Sequence, residues 1–168
     1  LWNMIADAAP LATAFAKQRS SGRSLTLCGL ADGQVEVLLP REKLRSSDGV
    51  LLFSDLAHSQ HITTADLSFN ELGPEAATAL ASALGTNVSL TRLNLQSNRL
   101  NGMHDEFGLQ VGTRDASGIL ALAGSLVRSK LTSLNLSGNS IDVQGATAIG
   151  EAVAAAGTAD PLHKLYIG

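Results

Sequence analysis

Few side chains in this sequence stand where they could do chemistry. His58 and His61 are three residues apart in His-Ser-Gln-His, which brings two imidazoles onto neighbouring positions of a helical turn and could begin a metal site. Zinc needs three or four ligands, and no Cys or firm carboxylate partner accompanies the pair. The plainer reading is two imidazoles at a helix end. His104-Asp105-Glu106 gathers an imidazole and two carboxylates, the types used in general acid–base work. It lies in a polar, glycine-rich stretch and reads as a solvated tip. Serines are frequent, yet none sits in a Gly-x-Ser-x-Gly elbow. Gly102, Gly108, Gly112 and Gly118 are spread over an irregular stretch, and no Gly-x-x-x-x-Gly-Lys-Ser/Thr phosphate loop occurs. Cys28 reads as a small buried hydrophobe in a strand. The expectation is a chain without catalytic residues, metal, cofactor or small-molecule substrate.

Composition narrows the partners. Of 168 residues, 45% are apolar but only 4% aromatic, so the core must be built from Leu, Ile, Val and Ala. A net charge of −3 offers no clustered basic footprint for nucleic acid. The uninterrupted apolar stretches, such as residues 119–123, fall far short of the roughly 20 residues that a membrane span requires. A single cysteine cannot make an internal disulfide, which favours an intracellular, reducing compartment and a cytoplasmic location. Residues 1–17 lack the basic start and long apolar run of a secretory signal. The first residue is Leu rather than Met, which suggests a processed chain or a segment of a longer one.

What positions these residues is a repeat. Three segments superimpose: Ile62-x-x-Ala65-x-Leu67-x-x-Asn70-x-Leu72, Leu90-x-x-Leu93-x-Leu95-x-x-Asn98-x-Leu100 and Leu131-x-x-Leu134-x-Leu136-x-x-Asn139-x-Ile141. A truncated fourth follows as Leu162-x-x-Leu165-x-Ile167. The starts are 28, 41 and 31 residues apart. Stepping back another 28 residues puts Val37, Leu39 and Leu44 on the apolar positions, with Glu42 in the place of Asn. In a short strand alternate side chains face opposite ways, so Leu93 and Leu95 point inward while Arg92, Asn94 and Gln96 point out. The sharp turn that follows leaves main-chain groups inside the stack. A carboxamide, with two donor hydrogens and an acceptor oxygen, can satisfy them coil after coil. Asn70, Asn98 and Asn139 are therefore read as a structural ladder.

After each strand the apolar spacing changes to i, i+3, i+4, which predicts helices over residues 48–58, 74–84, 117–128 and 143–155. Pro74 suits a first helical turn. The 41-residue unit carries about 14 extra residues, 101–114, between strand and helix. This insertion is expected to lack secondary structure, to protrude from one edge, and to expose Met103 and Phe107. Residues 1–33 break the pattern and read as an N-terminal cap. Residues 4–17 would form an amphipathic helix interrupted near Pro10, and Leu25, Leu27, Val35 and Val37 two strands joined by a turn at Asp32-Gly33. The repeats then fall at about 34–61, 62–89, 90–130 with the insertion, 131–161, and 162–168. The last strand has no helix after it, so the solenoid is expected to continue or its open edge to be covered by a partner.

The three aligned Leu-x-x-Leu-x-Leu-x-x-Asn-x-Leu segments resemble the leucine-rich-repeat pattern. Units near 28 residues with full helices resemble the intracellular, ribonuclease-inhibitor-like subclass. The resemblance implies an α/β solenoid, with a curved parallel β-sheet on the concave side and α-helices on the convex side. It also implies a non-catalytic protein–protein interaction module or scaffold. Asp66, Arg92, Asn94, Gln96, Asn135, Lys164 and Tyr166 would then meet the partner on the concave face, and Met103 and Phe107 on the insertion. Arg92 and Tyr166 are of the types enriched at binding hot spots. Two alternatives accompany this expectation. One is a GTPase regulator, since the subclass resembles Ran GTPase-activating proteins. The other is a structural subunit of a large cytoskeletal or axonemal assembly.

Overall fold

The computed structural model describes residues 30, 33–156 and 162–168. The expected N-terminal helix, the strand around Leu25 and Leu27, and Cys28 lie outside the described residues. From residue 33 onward, strand and helix alternate in the rhythm of the repeat. They run β1 (Glu36–Leu38), α1 (Ser46–His58), β2 (Thr64–Asp66), α2 (Pro74–Leu84), β3 (Arg92–Asn94), β4 (Met103–Glu106), β5 (Leu109–Gly112), α3 (Ser117–Leu126), β6 (Ser133–Asn135), α4 (Val143–Ala156) and β7 (Lys164–Tyr166).

Five of the strands form one parallel sheet in the order β1-β2-β3-β6-β7. Its register repeats the sequence spacing: Val37 pairs with Ala65, Ala65 with Leu93, Leu93 with Leu134, and Leu134 with Leu165. Each helix packs on the next, α1 on α2, α2 on α3 and α3 on α4. One continuous core fills the space between sheet and helices. The strands supply Val37, Ala65, Leu93 and Leu134; the turns add Leu39, Leu67, Leu95 and Leu136; the helices close it with Phe53, Leu80, Leu122 and Ile149. Small residues let the helices approach closely. A Cβ on Gly118 would lie 2.5 Å from the Pro74 carbonyl oxygen and 2.7 Å from the Ala77 Cβ.

The asparagines occupy the turns after β2, β3 and β6, nearly sealed from solvent. Asn70 Oδ1 accepts from the main-chain N–H groups of Glu42 and Leu44, both at 3.0 Å, while its Nδ2 donates to the carbonyls of Leu39 and Leu67. Asn98 Oδ1 accepts from Leu72 N–H at 3.0 Å, and its Nδ2 donates to the carbonyls of Leu67 and Leu95. Asn139 Oδ1 accepts from Leu100 N–H, and its Nδ2 donates to the carbonyls of Leu95 and Leu136. Each carboxamide thus ties its own turn to that of the preceding coil. The residue just before each is left-handed: Phe69 (φ 57°), Ser97 (φ 53°) and Gly138 (φ 70°), with Arg41 (φ 61°) in the same position of the first coil. The turn requires this conformation whatever residue occupies it, at a cost of about 1–2 kcal/mol for a residue other than glycine.

A second ladder, absent from the sequence reading, runs along the other end of the strands. Thr63 Oγ1 donates to the carbonyl of Val35, Thr91 Oγ1 to that of Thr63, and Thr132 Oγ1 to that of Thr91. Each threonine follows the Ile or Leu that opens its repeat, so it was present in the alignment as a repeated hydroxyl. Asn87 serves the same end: its Nδ2 donates to the carbonyls of Leu56 and Ser59, and its Oδ1 accepts from Ser89 and Leu90 N–H.

The insertion departs from expectation. In place of an irregular loop, β4 and β5 pair antiparallel as a separate two-stranded sheet, with Glu106 opposite Leu109 and Met103 opposite Gly112. Phe107 (φ 54°) and Gly108 (φ 80°) form the two-residue connection, both left-handed as a type I′ turn demands. The sequence concealed this because Asn or Asp is the usual first residue of such a turn, and Met-His-Asp-Glu shows no alternation of apolar and polar residues.

Candidate functional site on the strand face

Parallel pairing in register places outward side chains in rows across the strands. One row runs Glu36, Thr64, Arg92, Ser133, Lys164, and the next runs Leu38, Asp66, Asn94, Asn135, Tyr166. Neighbouring strands lie about 4.8 Å apart, so each row is a close file of side chains. Asp66, Arg92, Asn94, Asn135, Lys164 and Tyr166 therefore share one face, and Gln96 follows β3 on the same side. Leu38, 44% exposed at one end of the second row, was not singled out by the sequence. It sits in the degenerate first coil, where the repeat signal is weakest.

The middle of this face is ordered by its own hydrogen bonds. Asn94 Nδ2 donates to Asp66 Oδ1 at 3.2 Å, and Asn135 Nδ2 donates to Gln96 Oε1 at 3.3 Å. Asn94 Oδ1 accepts from Gln96 N–H, and Asn135 Oδ1 from Ser137 N–H. Asp66 Oδ1 also takes the hydroxyl of Ser68 at 2.7 Å. These amides are half-buried and fixed before any partner arrives. Arg92 and Lys164 are exposed, and Arg92 Nε donates to Thr64 Oγ1 at 3.3 Å. Tyr166 is 53% exposed at the far end of the second row. The face thus offers a rigid polar centre, two solvated cations, and an apolar or aromatic residue at either end.

The other candidates lie elsewhere. Phe107 is 99% exposed at the hairpin tip, whereas Met103 is half-buried at its base. Phe69, also exposed, carries the Arg41 guanidinium 4.1 Å above its ring, a cation–π contact at the edge of the first two coils. His58 Nδ1 lies 3.0 Å from the Ser54 carbonyl one helical turn back. His104 Nε2 faces Glu106 Oε2 at 3.9 Å, two residues further along β4. Among the described residues no three His, Cys, Asp or Glu side chains converge as a metal site would require. Among the same residues no helix is long and apolar enough to cross a membrane.

Near the start of α4, Asp142 Oδ1 accepts from Gly145 N–H at 2.9 Å, and its Oδ2 takes Arg114 Nη1 at 3.0 Å. These bonds, the first above all, hold its carboxyl below the ordinary aspartate range. Asp115 is lowered in the same direction by Ser117, its side chain and then its N–H. Both are features of helix starts, and Arg114 ties the end of the insertion to the following coil.

Comparison with known proteins bears on the fold. The family model for the leucine-rich repeat matches residues 58–81 and 129–150. No curated protein matches the sequence. Among solved structures, leiomodin-1 actin-binding site 2 is similar with a TM-score of 0.65 at 20% identity, over 95% of this chain and 77% of that one. The C-terminal domain of tropomodulin from Caenorhabditis elegans is similar with a TM-score of 0.62 at 16% identity, over 98% of this chain and 82% of that one. The GTPase-regulator reading gains no support from these likenesses. The recurring strand–turn–helix unit, the parallel sheet and the two matched segments agree on one architecture: this chain has the leucine-rich-repeat fold.

Proposed function

We propose that this chain is a non-catalytic protein-binding module that receives its partner on the concave strand face. The observation that carries this reading is the pair of registered rows, a hydrogen-bonded amide centre flanked by exposed Arg92, Lys164 and Tyr166. Side chains already held in place lose little entropy on binding, and Arg and Tyr are favoured anchors. No cofactor enters the proposal. The test is Arg92→Glu with Tyr166→Ala, compared with the unaltered chain by quantitative affinity capture from the native cell. The expected result is loss of specific partners with an unchanged melting temperature. An unchanged set of partners would remove the strand face from consideration.

The partner class we favour is cytoskeletal, in an intracellular setting. Support comes from the likeness to leiomodin-1 actin-binding site 2, a likeness of fold. Filamentous actin is accordingly the first probe. Cosedimentation that disappears in the double variant would support this choice, and no cosedimentation would discard it while leaving the wider protein-binding reading to the capture experiment.

A further inference from the structure

The hairpin β4–β5 is a sheet of only two strands, and among the described residues it makes no substantial contact with any other element. Its base is fixed by Asp115 N–H donating to the Asn101 carbonyl at 3.0 Å and by Ser140 Oγ donating to Gln110 Oε1 at 3.0 Å. Its tip and outer strand are bare: Phe107 is 99% exposed, Leu109 69% and Val111 38%. Two-stranded hairpins are marginal in water without a covered face, and open edges template pairing with another chain. Proteins blunt such edges with charge or proline. On β4 the exposed Glu106 does so, but β5, Leu-Gln-Val-Gly, carries neither.

The pairing register states which groups that edge presents. In a two-residue hairpin the closing pair, Glu106 and Leu109, exchanges hydrogen bonds, as does His104 with Val111. The main-chain N–H and C=O of Gln110 therefore point away from β4. An antiparallel strand centred on Gln110 satisfies them, and β5 itself fits. With Gln110 opposite its own copy, Leu109 falls opposite Val111, Val111 opposite Leu109, and Gly108 opposite Gly112. The apolar pairs share one face, no charge meets like charge, and a two-fold axis closes the contact. Phe107 then lies opposite Thr113, at the base of the second hairpin. An uncharged edge gains nothing from a charged partner strand, whereas its own copy matches it residue for residue.

We propose that β5 is a self-association edge, joining two copies of this chain through a four-stranded antiparallel sheet centred on Gln110. Sedimentation velocity of the full chain at rising micromolar concentrations tests it. The expected species has twice the 17.4 kDa chain mass, and Leu109→Lys with Val111→Lys returns it to the monomer. Among the described residues the hairpin packs on no other element, so the variant keeps the melting temperature of the unaltered chain. In a Cys28→Ser background, Gln110→Cys should form a covalent dimer under mild oxidation, and Leu109→Cys much more slowly. A chain that stays monomeric, a dimer that survives the double-lysine variant, or a Gln110→Cys chain that fails to cross-link would each overturn the proposal. Arg92→Glu with Tyr166→Ala leaves the dimer intact, which separates this edge from the strand-face reading.

Discussion

Asn70→Ala should destabilise the chain more than Asn98→Ala, although both remove the same carboxamide from the same position of the repeat. In Asn98→Ala the Leu72 N–H loses its acceptor. The two carbonyls that Asn98 served are not orphaned, because Leu67 still receives Asn70 Nδ2 at 2.9 Å and Leu95 still receives Asn139 Nδ2 at 2.9 Å. One buried N–H without a partner costs about 1–3 kcal/mol. In Asn70→Ala both Glu42 and Leu44 N–H lose their acceptor, and the Leu39 carbonyl loses its donor at 2.8 Å with no carboxamide in the first coil to replace it. With Leu44 N–H and the Leu39 carbonyl both left unsatisfied in the core, the cost is about 2–6 kcal/mol. Urea unfolding followed by circular dichroism reads the difference. A gap of about 2 kcal/mol moves the midpoint by about 1 M when the slope is near 2 kcal/mol per M. If Asn98→Ala cost as much as Asn70→Ala at an unchanged slope, the account of shared acceptors would be wrong.

Two further outcomes follow from the packing and the charges. Gly118→Ala would place a methyl group 2.5 Å from a main-chain oxygen of α2, so α2 and α3 must separate; overpacking of this kind costs about 1–3 kcal/mol, measured by thermal or urea unfolding, and a neutral result would refute the close approach. Asp142→Asn should lower stability at neutral pH but not in acid. A carboxyl with a depressed native pKa contributes above its ordinary value and loses that contribution as pH falls through the depressed one. Melting temperatures of the two chains should converge on acidification, and a gap that persisted into strong acid would count against the role given to Gly145 N–H and Arg114.

The regular coils were legible because one alignment carries several physical demands together. Leu93, Leu95 and Asn98 each answer a separate need, burial or main-chain satisfaction, at a fixed offset. The helix of residues 74–84 was read to its end residues because Pro74 and the Ala77, Leu80, Ala81, Leu84 face agree. The insertion was misread because its turn uses Phe107 where a short polar residue would have announced it. The contact of Arg41 with Phe69 was illegible for another reason: it joins residues 28 apart whose side chains are not part of the repeating core. Of the strand face, the rows could be listed from strand alternation alone. The bonds that tie Asn94 to Asp66 and Asn135 to Gln96 depend on side-chain geometry that alternation does not fix.

The close helix contact at Gly118 bears on the shape of the strand face, the surface proposed to meet a partner. Strands advance about 4.8 Å per coil, whereas packed helices stand about 8–10 Å apart, and the mismatch is what bends a solenoid. Gly49 meeting Ala76, Gly118 meeting Ala77 and Gly145 meeting Ile119 hold the helix layer near the tight end of that range. Close helix packing of this kind widens the arc, which makes the hollow it encloses broader and shallower. Such a cradle suits a wide, gently rounded surface better than a narrow peptide or a deep plug.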